Sequence, residues 1–230
     1  MSKVVIVTGG SRGIGAATAK LLGAKGYAVC VNYLANRELA DDVADCIIRA
    51  GGRAFACQAD VSSEADVIRL FDAAEERFGK VTHLVNNAGI LFTQSKLVDI
   101  DLERFNQVLN SNVVSCFLCS REAVRRFPAG SAIVNVSSLA SQTGSPFEYV
   151  DYAASKGAMD TLTKGLSREV AGSGIRVNAV RPGFIYTDMH ADGGEPGRVD
   201  RLAPQIPMQR GGSAEEVANT IAWLLSDEAS

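Results

Sequence analysis

"VVIVTGGSRGIGAATAKLLGAKG" fills residues 4–26 and sets glycines at 9, 10, 13 and 15, four in seven positions, directly after an apolar β-branched run. Glycine in ordered backbone costs about 0.5–1 kcal/mol relative to alanine, so something must approach this backbone closely. A strand, a glycine turn and a helix-period segment open a strand–helix–strand unit. In an open parallel sheet that first turn meets ligand phosphates, drawn by the free N–H groups and positive dipole end of the helix. The glycines are spaced three, then one residue apart, and no Lys-Ser/Thr pair closes the turn as in a nucleotide-triphosphate loop. A dinucleotide is the expected ligand, with Gly9, Ser11, Arg12, Gly13, Ile14 and Gly15 as candidate contacts.

Further apolar runs of strand length lie at 3–8, 27–33, 54–59, 83–87, 132–137 and 176–181. Helix-period segments at 14–25, 37–50, 64–78, 101–127, 151–171 and 214–225 separate and follow them. Continuous apolar strands need cover on both faces, so the alternation predicts an α/β fold: a doubly wound, Rossmann-like parallel sheet with helices on both sides. No repeat or linker divides the chain, and 1–230 reads as a single domain. The glycine- and proline-rich stretch 187–212 breaks the rhythm and reads as a long substrate loop with room for a short helix.

Composition narrows the function. The chain has 230 residues, 47% hydrophobic and 21% charged, with a formal charge of -3. It carries no basic footprint for nucleic acid, no run of 18 apolar residues and no cationic leader, so neither nucleic acid nor membrane is an expected partner and a cytoplasmic location is expected. Five scattered cysteines do not form a disulfide framework. Cys116 and Cys119 spell C-x-x-C, but inside an apparent amphipathic helix, where core packing explains them. With only two histidines, no metal site is expected.

Tyr152 and Lys156 are the chain's only Tyr-x-x-x-Lys pair. Four residues apart on a helix they share a face. A cation about 4 Å from a phenol at an effective dielectric of 20 favours phenolate by about 4 kcal/mol, near three pK units before desolvation opposes it. The expectation is a phenol lowered toward neutrality for proton transfer. A carbonyl accepting hydride also needs a donor at its oxygen, and Ser138, at the end of a strand fourteen residues earlier, is the candidate.

Together, "TGGSRGIG", "DV" at 60–61, "NNAG" at 86–89, Asn112 in "SNVVS", "VSS" ending at Ser138, "YAASK" at 152–156 and "RPGFIYT" at 181–187 resemble the short-chain dehydrogenases/reductases across nearly the whole chain. The resemblance implies catalytic roles for Ser138, Tyr152 and Lys156, with Asn112 holding a water in a proton relay and Lys156 also bonding the nicotinamide ribose. It implies further cofactor contacts from Asp60, Val61, Asn86, Ala88, Gly89, Pro182, Gly183, Ile185 and Thr187. Relatives often place an acidic residue before the "LVNNAG" strand, where this chain has Thr82 and His83. They also continue past the last helix into another strand and a glycine-rich tail, so either the sequence is cut short or the sheet lacks its outer strand. A homodimer or homotetramer packed through 101–127 and the Tyr152 helix is implied.

Cofactor choice turns on "AVCVNYLANRE" at the end of the second strand. An acidic residue there would bond the ribose hydroxyls of NAD and repel a 2′-phosphate, but Asn32 takes the place and Arg12 and Arg37 supply cations. NADP(H) is therefore the preferred cofactor, with NAD(H) as the second. The expected function is an oxidoreductase interconverting a small-molecule ketone or aldehyde with an alcohol, over a cavity lined from Phe92, Gln94, Phe147, Tyr149, Met189 and His190. The alternatives are a carrier-protein-linked 3-oxoacyl reductase, with Arg125 and Arg126 as its landing patch, and a non-catalytic dinucleotide-binding sensor or scaffold.

Overall fold

The computed structural model describes residues 3–230. Strand β1 (Val4–Val7) leads through the glycine turn into α1 (Gly13–Ala24), and β2 (Ala28–Tyr33), α2 (Arg37–Arg49), β3 (Arg53–Gln58) and α3 (Glu64–Phe78) follow. The chain then crosses to the other side of β1 and lays down β4 (His83–Asn86), β5 (Ala132–Val136) and β6 (Arg176–Val180). The sheet order is β3-β2-β1-β4-β5-β6, every neighbouring pair parallel. The winding reverses between β1 and β4, which opens a crevice beyond their carboxyl ends.

Side-chain alternation splits the core into two layers. Val5, Val7, Val29 and Val31 meet Leu22, Ile47, Ile221 and Leu225 on one face. Val4, Ile6, Ala28 and Cys30 meet Leu70, Phe71, Leu118 and Cys119 on the other. Both faces are buried, so the strands can be apolar throughout. Cys119 belongs to this packing, Cys116 is buried beside it on the same helix, and all five cysteines are free. Among the described residues no group of three or more acidic, His or Cys side chains could hold a metal, and no helix is long and apolar enough to cross a membrane.

The expected single helix over 101–127 is interrupted. It runs as α4 (Leu102–Leu109), a π turn (Asn110–Val114) and α5 (Ser115–Arg126). The wider turn frees a carbonyl from the helical ladder, and the Ser115 hydroxyl donates to Ser111 O at 2.6 Å. After β5 come the short α6 (Ala140–Thr143) and the long α7 (Val150–Val170). Residues 187–212 fold into α8 (Met189–Asp192), α9 (Arg198–Leu202) and a 3-10 turn (Ala203–Gln205), and an isolated parallel bridge joins Ile185 to Gly212. The last helix, α10 (Ala214–Leu225), starts with a capping box in which Ser213 and Glu216 satisfy each other's backbone N–H groups.

Candidate active site

The glycine turn packs against the end of β4, and that contact explains two of its glycines. Gly9 has φ +60, and a Cβ on it would lie 3.0 Å from Ala88 Cα. A Cβ on Gly15 would fall 2.3 Å from the Gly9 carbonyl oxygen, inside van der Waals contact. Gly15 is therefore a packing glycine and does not line the cleft. Thr8 Oγ1 accepts the N–H groups of Asn87 (2.9 Å) and Ala88 (3.0 Å), and Asn87 Nδ2 donates to Thr8 O and Gly9 O, each at 3.0 Å. Helix α1 starts with no side-chain cap and no acidic residue in its first turn, an arrangement suited to an anion.

A cleft of about 490 Å³ runs over this turn and is lined by Gly9, Ser11, Arg12, Gly13, Ile14, Asn32, Asp60, Val61, Ala88 and Gly89. Asn86 is absent from that wall. It ends β4 with its side chain buried on the α5 side, where Nδ2 donates to Ser120 Oγ (3.0 Å) and Asn135 Oδ1 (2.8 Å). The next residue, Asn87, lines the cleft instead. The expected asparagine contact is thus one residue out of phase, because successive strand residues face opposite sides.

At the far end of the cleft Asn32 is 2% exposed. Its Oδ1 accepts the Gly9 N–H at 3.3 Å, and its Nδ2 donates to Cys57 O (3.3 Å) and Ala59 O (3.0 Å). Asn32 braces two loops, while Tyr33, Leu34 and Asn36 form the open wall. Asp60 Oδ1 accepts from the Ser62 N–H and hydroxyl at 2.9 and 2.6 Å, which fixes the loop beside Val61. Arg12 is ion-paired with Asp192 of α8, and Arg37 with Asp41 of its own helix. Thr82 and His83 do not approach the cleft: His83 starts β4 at the opposite end of the sheet, edge-on to Tyr27 at 5.1 Å.

A second cavity, about 450 Å³, adjoins the first and shares Ile14, Asn87, Thr187 and Met189 with it. Ser138, Tyr152, Lys156, Pro182, Gly183 and Ile185 line it. Ser138 lies just past β5, where its Oγ accepts the Ala140 N–H at 3.1 Å, and Ser137 turns inward to donate to Lys156 O at 3.2 Å. Of the expected pocket residues, Tyr149, Met189 and His190 line this cavity, whereas Phe147 is 77% exposed outside it. Phe92 stacks under Arg104 and Gln94 donates to Glu195 at 2.6 Å.

The expectation of a lowered phenol is overturned for the free protein. Burial pushes the Tyr152 phenol up to about 12, with the Ser138 hydroxyl opposing in part. Lys156 Nζ does not sit on the phenol oxygen. It donates to Val136 O at 2.8 Å, contacts Met159 Sδ at 3.4 Å and lies 5.5 Å from the Tyr152 ring centroid. Burial also pushes this ammonium down to about 8. Burial is thus the leading cause of both shifts.

Asn112 sits in the π turn, fully buried. Its Oδ1 accepts the Ile90 N–H at 2.7 Å, and its Nδ2 donates to Ile90 O and Ser155 Oγ, each at 3.0 Å. A Cβ on Gly89 would lie 3.1 Å from Asn112 Oδ1 and 3.5 Å from Lys156 Nζ, so the two side chains converge behind Gly89. Both Asn112 Nδ2 hydrogens are therefore committed to Ile90 O and Ser155 Oγ, while Oδ1 keeps a second lone pair.

Two further groups support the site and were not anticipated. Asp151, 2% exposed, accepts Arg104 Nε at 2.7 Å and the Tyr152 N–H at 2.9 Å, which anchors the first turn of α7 beside the phenol. Arg198 of α9 is buried against Glu148 and stacks on Tyr149 at 5.0 Å, closing the cavity from the loop side. Charged loop residues normally read as solvated, and no local spacing marks pairs 47 and 50 positions apart.

Comparison with known proteins agrees with this geometry. Residues 9–230 match a family model described as enoyl-(acyl carrier protein) reductase. The chain is 61% identical to an Escherichia coli protein named "Uncharacterized oxidoreductase YgfF", over 99% of this chain and 94% of that one. It is 38% identical to the 3-oxoacyl-acyl-carrier-protein reductase of Synechocystis, over 99% of this chain and 91% of the relative. Among solved structures, a short-chain dehydrogenase of Burkholderia cenocepacia in complex with NADP superposes with a TM-score of 0.90 at 38% identity, covering 98% and 91% of the two chains. A Sinorhizobium meliloti dehydrogenase/reductase gives 0.93 at 33% identity, covering 100% and 90%. With its switch-point cleft opening onto a cavity lined by Ser138, Tyr152 and Lys156, and with relatives this close over almost its whole length, the chain belongs to the short-chain dehydrogenase/reductase family of nicotinamide-dependent oxidoreductases.

Proposed function

We propose that the protein is an NADP(H)-preferring reductase of a small ketone or aldehyde, working through Ser138, Tyr152, Lys156 and Asn112. The observation that carries this reading is the junction of the two cavities. Ile14, Asn87, Thr187 and Met189 wall both, so a dinucleotide along the first would bring one end to Ser138 and Tyr152. The uncapped start of α1, the close backbone of the glycine turn and Arg12 suit its phosphates. When bound, the cofactor supplies a hydride to the carbonyl carbon. Ser138 holds the carbonyl oxygen, Tyr152 gives its proton to the alkoxide, and Lys156 provides positive charge beneath it. Asn112 fixes the Ile90 backbone behind Lys156 and orders the path by which the proton is replaced.

The carrier-protein alternative is favoured by relatives named 3-oxoacyl-acyl-carrier-protein reductase, but its landing patch is reduced: Arg126 is bound by Asp72, Glu75 and Glu122, and the more exposed Arg125 leans on Glu122 at 3.4 Å. A non-catalytic sensor would be expected to lose Tyr152, Lys156 or Ser138, yet all three are present and line one cavity. Self-association belongs to the proposal, since Val114 and Phe117 stand exposed along 110–126.

The pH dependence of reduction tests this reading. The reaction needs the phenol protonated, a condition met below about 12, and the ammonium charged, a condition met below about 8. The kcat/KM for carbonyl reduction with NADPH should be level from neutrality and fall as pH rises through about 8, with the enzyme eluting as a dimer or tetramer by light scattering. A reduction rate that climbs with pH across that range would contradict the assignment of the two groups.

A further inference from the structure

One wall of the substrate cavity carries an imidazole with a nitrogen left unpaired. His190, on α8, lines the cavity with Ser138 and Tyr152. Its Nε2 lies 3.0 Å from Ile185 O. A carbonyl only accepts, so Nε2 carries the hydrogen and Nδ1 is a bare lone pair. Among the described residues Nδ1 has no hydrogen-bond partner. Burial and the neighbouring Arg198 outweigh Glu195 and the Ile185 carbonyl and hold the imidazole below its ordinary pKa, so it stays neutral.

The rest of the wall decides what could answer this acceptor. Arg198 is neutralised by Glu148 and Glu195 and stacked between Tyr149 and Phe184. Lys156 is turned to Val136 O. Neither cation is left for a substrate carboxylate, and the remaining wall sets apolar Leu91, Leu139, Pro146 and Met189 beside the neutral hydroxyls of Thr143, Ser145 and Thr187. A neutral donor is the complementary group.

We propose that His190 is a specificity residue: its Nδ1 accepts a hydrogen bond from a hydroxyl on the substrate, so the preferred compounds are neutral hydroxy-carbonyls. The inference rests on the carbonyl-reductase reading above. A half-buried acceptor satisfied by the substrate and stranded by its methyl analogue discriminates by about tenfold or more.

The test compares hydroxyacetone with butanone, and two homologues carrying one and two further methylenes before the hydroxyl with their methyl counterparts, as substrates with NADPH. Wild type should favour at least one hydroxy-ketone over its counterpart by about tenfold in kcat/KM. His190→Leu should bring that preference to within about twofold, and His190→Asn, which can place an oxygen where Nδ1 stands, should restore part of it. Turnover without preference, or a preference unchanged in His190→Leu, overturns this inference and leaves the reductase reading intact. Absence of turnover for every ketone despite bound NADPH would instead strike that reading. A second readout then still judges His190. The chain has only two histidines, so its imidazole nitrogen spectrum is readily assigned. The His190 signals should show the Nε2–H tautomer, with Nδ1 moving upfield on addition of hydroxyacetone to the NADP-bound protein. An Nδ1–H tautomer, or an Nδ1 signal that does not move, overturns the proposal.

Discussion

Tyr152→Phe is expected to lower the turnover of carbonyl reduction by at least about 100-fold while leaving the NADPH dissociation constant within about twofold. Positioned acid–base groups contribute about 10² to 10⁴ to rate, and this substitution removes the proton while keeping the ring. The environment sharpens the expectation. Burial keeps the phenol protonated up to about 12, so Tyr152 enters reduction loaded, with Lys156 beside its ring and Ser138 on the same wall. Asp151 and Arg104 hold the first turn of α7 through its backbone and do not depend on the phenol oxygen, so the variant should fold. Stopped-flow turnover and fluorescence titration of NADPH separate the two quantities. Equal turnover in the variant would remove Tyr152 from the mechanism.

Arg12→Ala carries the second large effect: a fall of about tenfold to 100-fold in kcat/KM with NADPH and little change with NADH. A charge-assisted bond from guanidinium to phosphate is worth about 1.5–3 kcal/mol. In the free protein Arg12 is paired with Asp192, each about half exposed (49% and 46%). A 2′-phosphate would have to win it from that carboxylate, and an exposed pair resists by only about 0–1 kcal/mol. Asp192→Asn should therefore tighten NADPH by up to about fivefold. The position of Asn32 changes the companion expectation for Asn32→Asp. A carboxylate there would face the carbonyls of Cys57 and Ala59, to which the amide now donates. That variant should weaken both cofactors instead of exchanging them. Steady-state kinetics with each cofactor on the variants decide the matter, and an unchanged NADPH-to-NADH ratio in Arg12→Ala would show that this arginine does not read the phosphate.

What the sequence disclosed follows from the range of the forces involved. Periodicity and capping are local, so 64–78 and 214–225 are found at their observed bounds, the latter opened by Ser213 and Glu216. The glycine turn was legible for the same reason, since backbone crowding writes itself into consecutive residues. The π turn at Asn110–Val114 was not, because Val108, Cys116 and Cys119 continue an apolar stripe across it and only the hydrogen-bond ladder changes. The phase of "NN" at 86–87 depends on which face of β4 meets α5, a tertiary fact. Lys156 shows the limit most clearly. Its spacing from Tyr152 is readable, but its turn toward Val136 O comes from a carbonyl twenty positions away. Likewise, nothing near Arg198 or Asp151 in the chain announces their partners.

The most direct measurement of the central claim is isotopic. NADPH deuterated at its transferable nicotinamide position is mixed with the enzyme and a carbonyl substrate in ordinary water, and the product alcohol is examined by NMR. The two joined cavities predict deuterium bound to the former carbonyl carbon, and a hydroxyl hydrogen drawn from water by way of Tyr152. NADPH bound without any transfer, or an alcohol whose new carbon–hydrogen bond carries solvent hydrogen, would contradict the account.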